Sequence, residues 1–247
     1  MRRLTLITVA MSMLFMYGCS TIGRKSSHQP GQQVACEMSK KVEVEIGYQL
    51  FLPASYDQKE KKDWPMILFL HGAGERGDDL EAVKMHGPPM LVESDPNFKF
   101  VVVSPQCPKG QFWDIAVLNA LLDEIIEKYN IDQDRIYLTG LSMGGYGTWN
   151  LSTYHADRFA AIAPICGGGQ ARLALWMLKG MPIWVFHGAK DGTVPISESQ
   201  TMVDALKKAG EDIRFTIYPE TGHNAWVQAY NTPELFDWFL SHKRSDR

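Results

Sequence analysis

The chain has 247 residues, a hydrophobic content of 45% and a formal net charge of −3. This length and composition support one domain with a sizeable core, and the lack of a run of like charges argues against a nucleic-acid partner or a polybasic membrane surface. No CxxC pair or sequence cluster of histidine and cysteine indicates a metal site.

The N-terminus has the pattern of an export signal. Two arginines precede a mostly apolar run at residues 4–16, which has the length of a signal-peptide core and is short for a membrane span. The following Gly18-Cys19 pair resembles a bacterial lipoprotein processing site, although the two positions before it depart from the usual pattern. We therefore expect a signal peptide at 1–18, lipidation of Cys19 and a polar tether at 19–40. The protein would then lie in the bacterial cell envelope, in the periplasm or outside the cell, and a lipid anchor would be its membrane contact.

From residue 41 onward, short β-like runs alternate with helix-like runs. The stretch 42–53 alternates apolar and polar side chains, as a half-exposed antiparallel edge strand does. Continuous apolar runs typical of buried parallel strands alternate with helical segments in this order: strands at 66–70 and 100–104, a helix at 115–129, a strand at 135–140, a helix at 142–154, strands at 159–165 and 182–188, a helix at 197–208, a strand at 213–219 and a helix at 233–240. This alternation predicts an α/β domain over 41–247, with a doubly wound, mostly parallel sheet flanked by helices and a ligand site at the carboxyl ends of its strands.

Residues 140–144 satisfy the motif G-x-S-x-G, directly between a predicted strand and a predicted helix. In this context the motif predicts a nucleophile elbow, a strained turn on which glycine neighbours avoid collisions. The start of the following helix supplies free N–H groups and a positive dipole end near the serine. Ser142 is therefore the predicted nucleophile.

A serine hydroxyl needs a base to remove its proton and an acid to orient that base. Among the seven histidines, His223 lies in a loop just after the last predicted strand, so it is the predicted base. Asp191 lies in the loop after the strand at 182–188 and is the predicted acid. The chain order Ser142, Asp191, His223 is the one expected for hydrolases that carry this elbow.

Two backbone N–H groups are predicted to hold the oxyanion of the tetrahedral intermediate. One belongs to Met143, the residue after the nucleophile, and the other to Ala73 in the glycine-rich loop at 70–79. Glu75 and Arg76 are expected to brace this loop. The loop lacks the GK[ST] ending of a phosphate-binding loop.

Further side chains are assigned by their positions near strand ends. Gln106, Trp113 and Trp226 are candidate substrate contacts, although each tryptophan is equally well explained as a packing aromatic. His71 and His187 are each followed by glycine, which favours a structural role in which the imidazole bonds to loop backbone.

Four cysteines are present, and an odd three remain if Cys19 carries lipid. Cys166 is expected to pack as a small buried residue. A disulfide between Cys36 and Cys107 stays open for a chain in an oxidising compartment.

Six stretches together resemble α/β-hydrolases of the dienelactone hydrolase and bacterial carboxylesterase type, which include feruloyl-esterase-like and polyhydroxybutyrate-depolymerase-like enzymes. They are LFLHGAGERGDD, SPQCP, DRIYLTGLSMGGYGTW, FAAIAPICGGG, FHGAKDGTVP and GHNAW. The resemblance covers roughly residues 41–240 and implies the α/β-hydrolase fold and a triad of Ser142, Asp191 and His223, with no metal or organic cofactor. Dienelactone hydrolases use cysteine where this chain has Ser142, which favours ordinary ester hydrolysis.

These observations predict a secreted serine carboxylesterase acting on small acyl esters or on acetyl or feruloyl esters of polysaccharides. Only residues 166–181 separate the two strands between which many lipases insert a lid, so no large cap domain is expected. Three alternatives stay open: a prolyl-oligopeptidase-like peptidase, a lysophospholipase or thioesterase, and an inactive hydrolase scaffold that binds glycan or lipid as a surface lipoprotein.

Overall fold

The computed structural model describes residue 33, residues 35–60 and residues 62–246. The expected signal peptide at 1–18 and the expected lipidation site Cys19 lie outside the described residues, as does most of the expected tether. Among the helices that the structure describes, none has the length and apolar character needed to cross a membrane.

The chain divides into two units, Met1–Val42 and Glu43–Arg247. Within the first unit, the described residues belong to no helix or strand. The second unit contains the helices and strands described below.

The second unit is built on a seven-stranded sheet. Its strands are β1 (Tyr48–Phe51), β2 (Trp64–Leu70), β3 (Val101–Pro105), β4 (Ile131–Leu141), β5 (Ala161–Ile165), β6 (Ile183–Gly188) and β7 (Ile213–Tyr218). Their order in the sheet is β1-β3-β2-β4-β5-β6-β7. β1 runs antiparallel to β3, and every other pair is parallel. The predicted doubly wound, mostly parallel sheet with an antiparallel edge strand is therefore confirmed.

The described residues form seven α-helices, five between consecutive strands and two after β7. They are α1 (Pro88–Leu91), α2 (Ile115–Lys128), α3 (Met143–Tyr154), α4 (Ala171–Met177), α5 (Ser197–Lys208), α6 (Trp226–Tyr230) and α7 (Pro233–Leu240). The four predicted helices correspond to α2, α3, α5 and α7. The sequence did not predict α1, α4 and α6, because their 4, 7 and 5 residues are too few to display a helical period. The predicted edge strand at 42–53 is shorter than expected, since its pairing with β3 spans only the four residues of β1.

The sheet is covered on both faces, which explains the continuous apolar strands. Along β2, Met66, Leu68 and Leu70 pack into one core with residues of α2, α3 and α5. The alternate residues Ile67 and Phe69 pack into a second core with residues of α6 and α7. Alternation along a strand thus places apolar side chains on both faces of the sheet. Because helices cover both faces, the ends of the strands are where a site can form.

Candidate active site

The turn between β4 and α3 holds Ser142 in a strained backbone conformation. Its φ of 53° and ψ of −116° are uncommon for a residue with a side chain. The turn is fixed by its surroundings, because the Ser142 amide donates to the Ile165 carbonyl at 2.9 Å. A Cβ at Gly144 would lie 1.9 Å from the Leu70 carbonyl oxygen, and one at Gly140 would lie 2.4 Å from the Gly144 carbonyl oxygen and 2.7 Å from that of Leu70. The two motif glycines are therefore required by the close approach of the backbone of β2 and of the turn itself.

The three residues that the sequence assigned to a catalytic triad lie in one hydrogen-bonded chain. Ser142 Oγ lies 2.9 Å from His223 Nε2, and His223 Nδ1 lies 2.7 Å from Asp191 Oδ2. An ionised carboxylate only accepts hydrogen bonds, so Nδ1 carries the proton and Nε2 is available to accept one from the serine. Loops after β4, β6 and β7 supply the three side chains, at the carboxyl edge of the sheet.

Asp191 is a buried carboxylate with several donors around it. Its Oδ1 accepts hydrogen bonds from the Thr193 and Val194 amides, each at 2.9 Å. Burial by itself would raise the pKa of Asp191, but hydrogen bonds from His223 and the two amides outweigh it and lower the pKa. The side chain is therefore ionised at neutral pH and suited to stabilise a protonated imidazole.

The two predicted oxyanion donors each begin a helical segment. Ala73 is the first residue of a short 3₁₀ helix and Met143 is the first residue of α3, so the helix itself offers no acceptor for either N–H. Gly72 brings this loop against the elbow, since a Cβ there would lie 2.8 Å from Leu141 Cδ1. Arg76 braces the loop as expected, because its Nε donates to the Ala73 carbonyl at 3.0 Å.

Gln106 holds the oxyanion loop at 70–79 by hydrogen bonds to its backbone. Its side chain is buried, and its amide nitrogen donates to the carbonyls of Glu75 and Asp79, each at 2.8 Å. Through these contacts Gln106 braces the oxyanion loop. A direct contact between Gln106 and the substrate stays a prediction.

The two tryptophans occupy different positions around the site. The ring centroids of Trp113 and His71 lie 4.8 Å apart, and the indole nitrogen of Trp113 donates to the His71 carbonyl at 3.3 Å. Trp226 meets the His223 ring edge-to-face at 5.2 Å, and its ring centroid lies 5.6 Å from that of His86. The indole N–H of Trp226 is buried and has no hydrogen-bond partner among the described residues. Substrate contact by either tryptophan stays a prediction.

His71 has the backbone contacts that the sequence suggested. Its Nδ1–H donates to the Gly72 carbonyl at 2.6 Å, and its Nε2 accepts from the Cys107 amide at 2.9 Å. Burial lowers the pKa of His71. A neutral imidazole with this tautomer satisfies both contacts.

His187 has a contact that the sequence analysis missed. Its Nε2 lies 3.0 Å from the Val194 carbonyl, which is the expected bond to loop backbone, but also 3.3 Å from Asp191 Oδ2. Asp191 follows His187 by four residues, but this spacing alone does not predict the contact, because Asp191 lies in the turn after β6.

Cysteine positions were only partly anticipated. Cys107 and Cys166 are buried free thiols, so the Cys36–Cys107 disulfide that the sequence left open is not formed. Cys166 has a positive φ of 48°, and its thiol donates to the His223 carbonyl at 3.3 Å. Burial raises the pKa of Cys166 to about 12.

Ligating atoms of Cys166, His187 and Asp191 lie within 4.8 Å of one another, a cluster that sequence spacing did not indicate. The thiol of Cys166 donates to the His223 carbonyl, and Nε2 of His187 lies 3.0 Å from the Val194 carbonyl. These groups are therefore engaged in internal hydrogen bonds.

Comparison with known proteins supplies a family profile and several relatives. The profile of the dienelactone hydrolase family matches residues 33–233. A bifunctional acetylxylan esterase/xylanase of Neocallimastix patriciarum is 33% identical over 134 residues, which cover 51% of this chain and 19% of that protein. A probable feruloyl esterase C of Aspergillus niger is 23% identical over 193 residues, which cover 72% of this chain and 67% of that protein.

Among solved structures, a thermostable esterase aligns with a TM-score of 0.69 and 33% identity, over 81% of this chain and 60% of that one. A ferulic acid esterase aligns with a TM-score of 0.59 at 20% identity, which supports the fold. The chain spans only 19% and 26% of the lengths of the first two curated relatives.

Proposed function

The chain belongs to the dienelactone hydrolase family, and from this premise we propose that it is an exported serine carboxylesterase. The observation that carries the proposal is the continuous relay from Ser142 through His223 to Asp191, with heavy-atom distances of 2.9 and 2.7 Å. These distances are those of a nucleophile, a base and an orienting acid ready for proton transfer.

In the proposed reaction, Ser142 Oγ attacks the ester carbonyl while His223 Nε2 accepts the hydroxyl proton. The N–H groups of Ala73 and Met143 bind the oxyanion of the tetrahedral intermediate. The intermediate collapses as the C–O bond breaks, and His223 gives its proton to the leaving alcohol. Water then attacks the acyl-enzyme with His223 as base, which releases the acid and restores Ser142.

We propose small acyl esters, or acetyl and feruloyl esters carried on polysaccharide, as the substrates. Relatives named as an acetylxylan esterase and a probable feruloyl esterase support this class. The connection between β5 and β6 contains one short helix, α4, and no inserted cap domain, which suits an ester group carried on a bulky polymer.

A substrate panel tests the proposal. We expect turnover of p-nitrophenyl acetate, with a decline toward the octanoate, and turnover of methyl ferulate or acetylated xylan. A fluorophosphonate probe should label the folded protein at one serine. A folded protein that neither hydrolyses any of these esters nor reacts with the probe would instead support the alternative of an inactive binding scaffold.

Lipid anchoring is a separate proposal that depends on Cys19. In a bacterial host, we expect the full chain to incorporate labelled fatty acid and to sediment with membranes. Cys19→Ala should lose both properties and keep its specific esterase activity, because the proposed relay consists of Ser142, His223 and Asp191. Unchanged lipid incorporation in this variant would contradict the assignment.

A further inference from the structure

We propose that His187 is a positioning residue of the catalytic relay, acting on the same oxygen of Asp191 that binds His223. This inference rests on the proposed function. It assigns to His187 a role beyond the backbone bonding that its sequence context predicts.

The surroundings of His187 determine where its proton lies. The side chain is fully buried near the carboxyl end of β6. Its Nε2 faces two acceptors, the Val194 carbonyl at 3.0 Å and Asp191 Oδ2 at 3.3 Å. Since neither a carbonyl nor an ionised carboxylate can donate, Nε2 carries a proton. The N–H forms its hydrogen bond with Val194 and presents its positive end to Asp191.

The same imidazole also immobilises the turn that carries Asp191. The Val194 amide donates to Asp191 Oδ1 at 2.9 Å, while the Val194 carbonyl accepts from His187 at 3.0 Å. On its other side, His187 Nδ1 lies 2.8 Å from Ser199 Oγ, which is itself 2.7 Å from the Gly167 carbonyl. His187 therefore connects the turn to β6, to α5 and to the loop after β5.

Asp191 needs such support because its side chain is fully buried. A buried carboxylate is stable only when protein donors replace its lost hydration. The Oδ2 oxygen has His223 at 2.7 Å and His187 at 3.3 Å. The imidazole of His187 thus stabilises the negative charge on the same oxygen that binds His223. It also restrains rotation of the carboxylate, which keeps His223 Nε2 directed at Ser142.

Two other titratable groups near Asp191, Cys166 and Tyr146, do not ionise near neutral pH. Burial raises the pKa of the Cys166 thiol and that of the Tyr146 hydroxyl, each to about 12. Glu198 is the charged neighbour of Tyr146. The acid limb of the pH–rate profile is therefore a suitable measure of changes in the relay through Asp191.

The test compares His187→Phe with His187→Gln. Phenylalanine keeps a ring but removes the donor, whereas the glutamine amide nitrogen can replace Nε2. In His187→Phe we expect kcat for p-nitrophenyl acetate to fall about 10- to 100-fold with little change in KM. The acid limb of kcat/KM should move to higher pH, because a carboxylate that no longer faces the polarised N–H of His187 stabilises the protonated form of His223 more strongly. His187→Gln should recover most of kcat and return the limb toward its original position.

Thr201→Ala is the matched control, since Thr201 is exposed on the same helix as Ser199 and its hydroxyl donates to the Ser197 carbonyl, so its acid limb should not move. The inference is overturned if His187→Phe leaves the acid limb in place, or if His187→Gln recovers no more kcat than His187→Phe.

If His187→Phe does not fold, ¹⁵N-histidine NMR of the wild-type protein tests the proposal, because an unprotonated Nε2 on His187 contradicts it. Wild-type protein without serine-dependent turnover would refute the proposed function itself, whereas active wild type with unshifted variants would refute only the role of His187.

Discussion

Ser142→Ala is expected to abolish ester hydrolysis while the protein stays folded. The substitution removes Oγ, which lies 2.9 Å from His223 Nε2, and no other hydroxyl is assigned to attack the ester. Loss of the nucleophile in a serine triad lowers kcat by about 10⁶-fold. Steady-state kinetics with p-nitrophenyl acetate and labelling by a fluorophosphonate would measure the loss, and circular dichroism would verify the fold.

Ser152→Ala is the appropriate control for this variant. Ser152 lies on the same helix, α3, and its buried hydroxyl donates to the Trp149 carbonyl at 3.1 Å. This variant should keep wild-type kcat and probe labelling, with a modest loss of stability. Wild-type turnover by Ser142→Ala would refute the assignment of the nucleophile.

Asp191→Asn is expected to lower kcat by about 10⁴-fold with little change in structure. An asparagine amide can donate to His223 Nδ1, which then forces the proton onto Nε2. In that tautomer the imidazole cannot accept the proton of Ser142, although the distances of 2.7 and 2.9 Å are kept. The measurement is kcat over a pH range, and unimpaired turnover would show that another carboxylate is the acid.

The same substitution should change how stability depends on pH. The pKa of Asp191 is lowered in the folded state, so its ionisation stabilises the fold above the pKa of an unfolded Asp, about 4. This stabilisation is lost as the pH falls below about 4 and approaches the lowered pKa. Urea unfolding between pH 3 and pH 7 should therefore show a shallower acid-side loss in Asp191→Asn than in wild type.

Asp204→Asn provides the comparison for the stability measurement, since Asp204 is exposed on α5. Its acid-side profile should follow that of wild type. Identical profiles for all three proteins would contradict the link between the carboxylate of Asp191 and acid stability.

The sequence by itself determined the fold class and selected the three residues of the relay. Apolar runs at 66–70 and 182–188 indicated strands covered on both faces, because burial on two sides removes the alternation of polar residues. The motif at 140–144 indicated a strained turn, since its glycines suit a close approach of neighbouring backbone. Asp191 and His223 were selected because each follows a predicted strand, and parallel strands end at one edge of the sheet.

Only the tertiary structure decided which side chains touch. Ser142 and His223 are 81 residues apart, and their distance depends on the order of strands in the sheet. The sequence predicted a substrate contact for Gln106 from its position at a strand end, and only the structure revealed that its amide donates to two loop carbonyls. The contact between His187 and Asp191 depends on the path of the turn after β6, and local spacing does not determine that path. Periodicity along a chain reports burial of each residue, whereas the direction of a side chain and its partners are set by packing between distant segments.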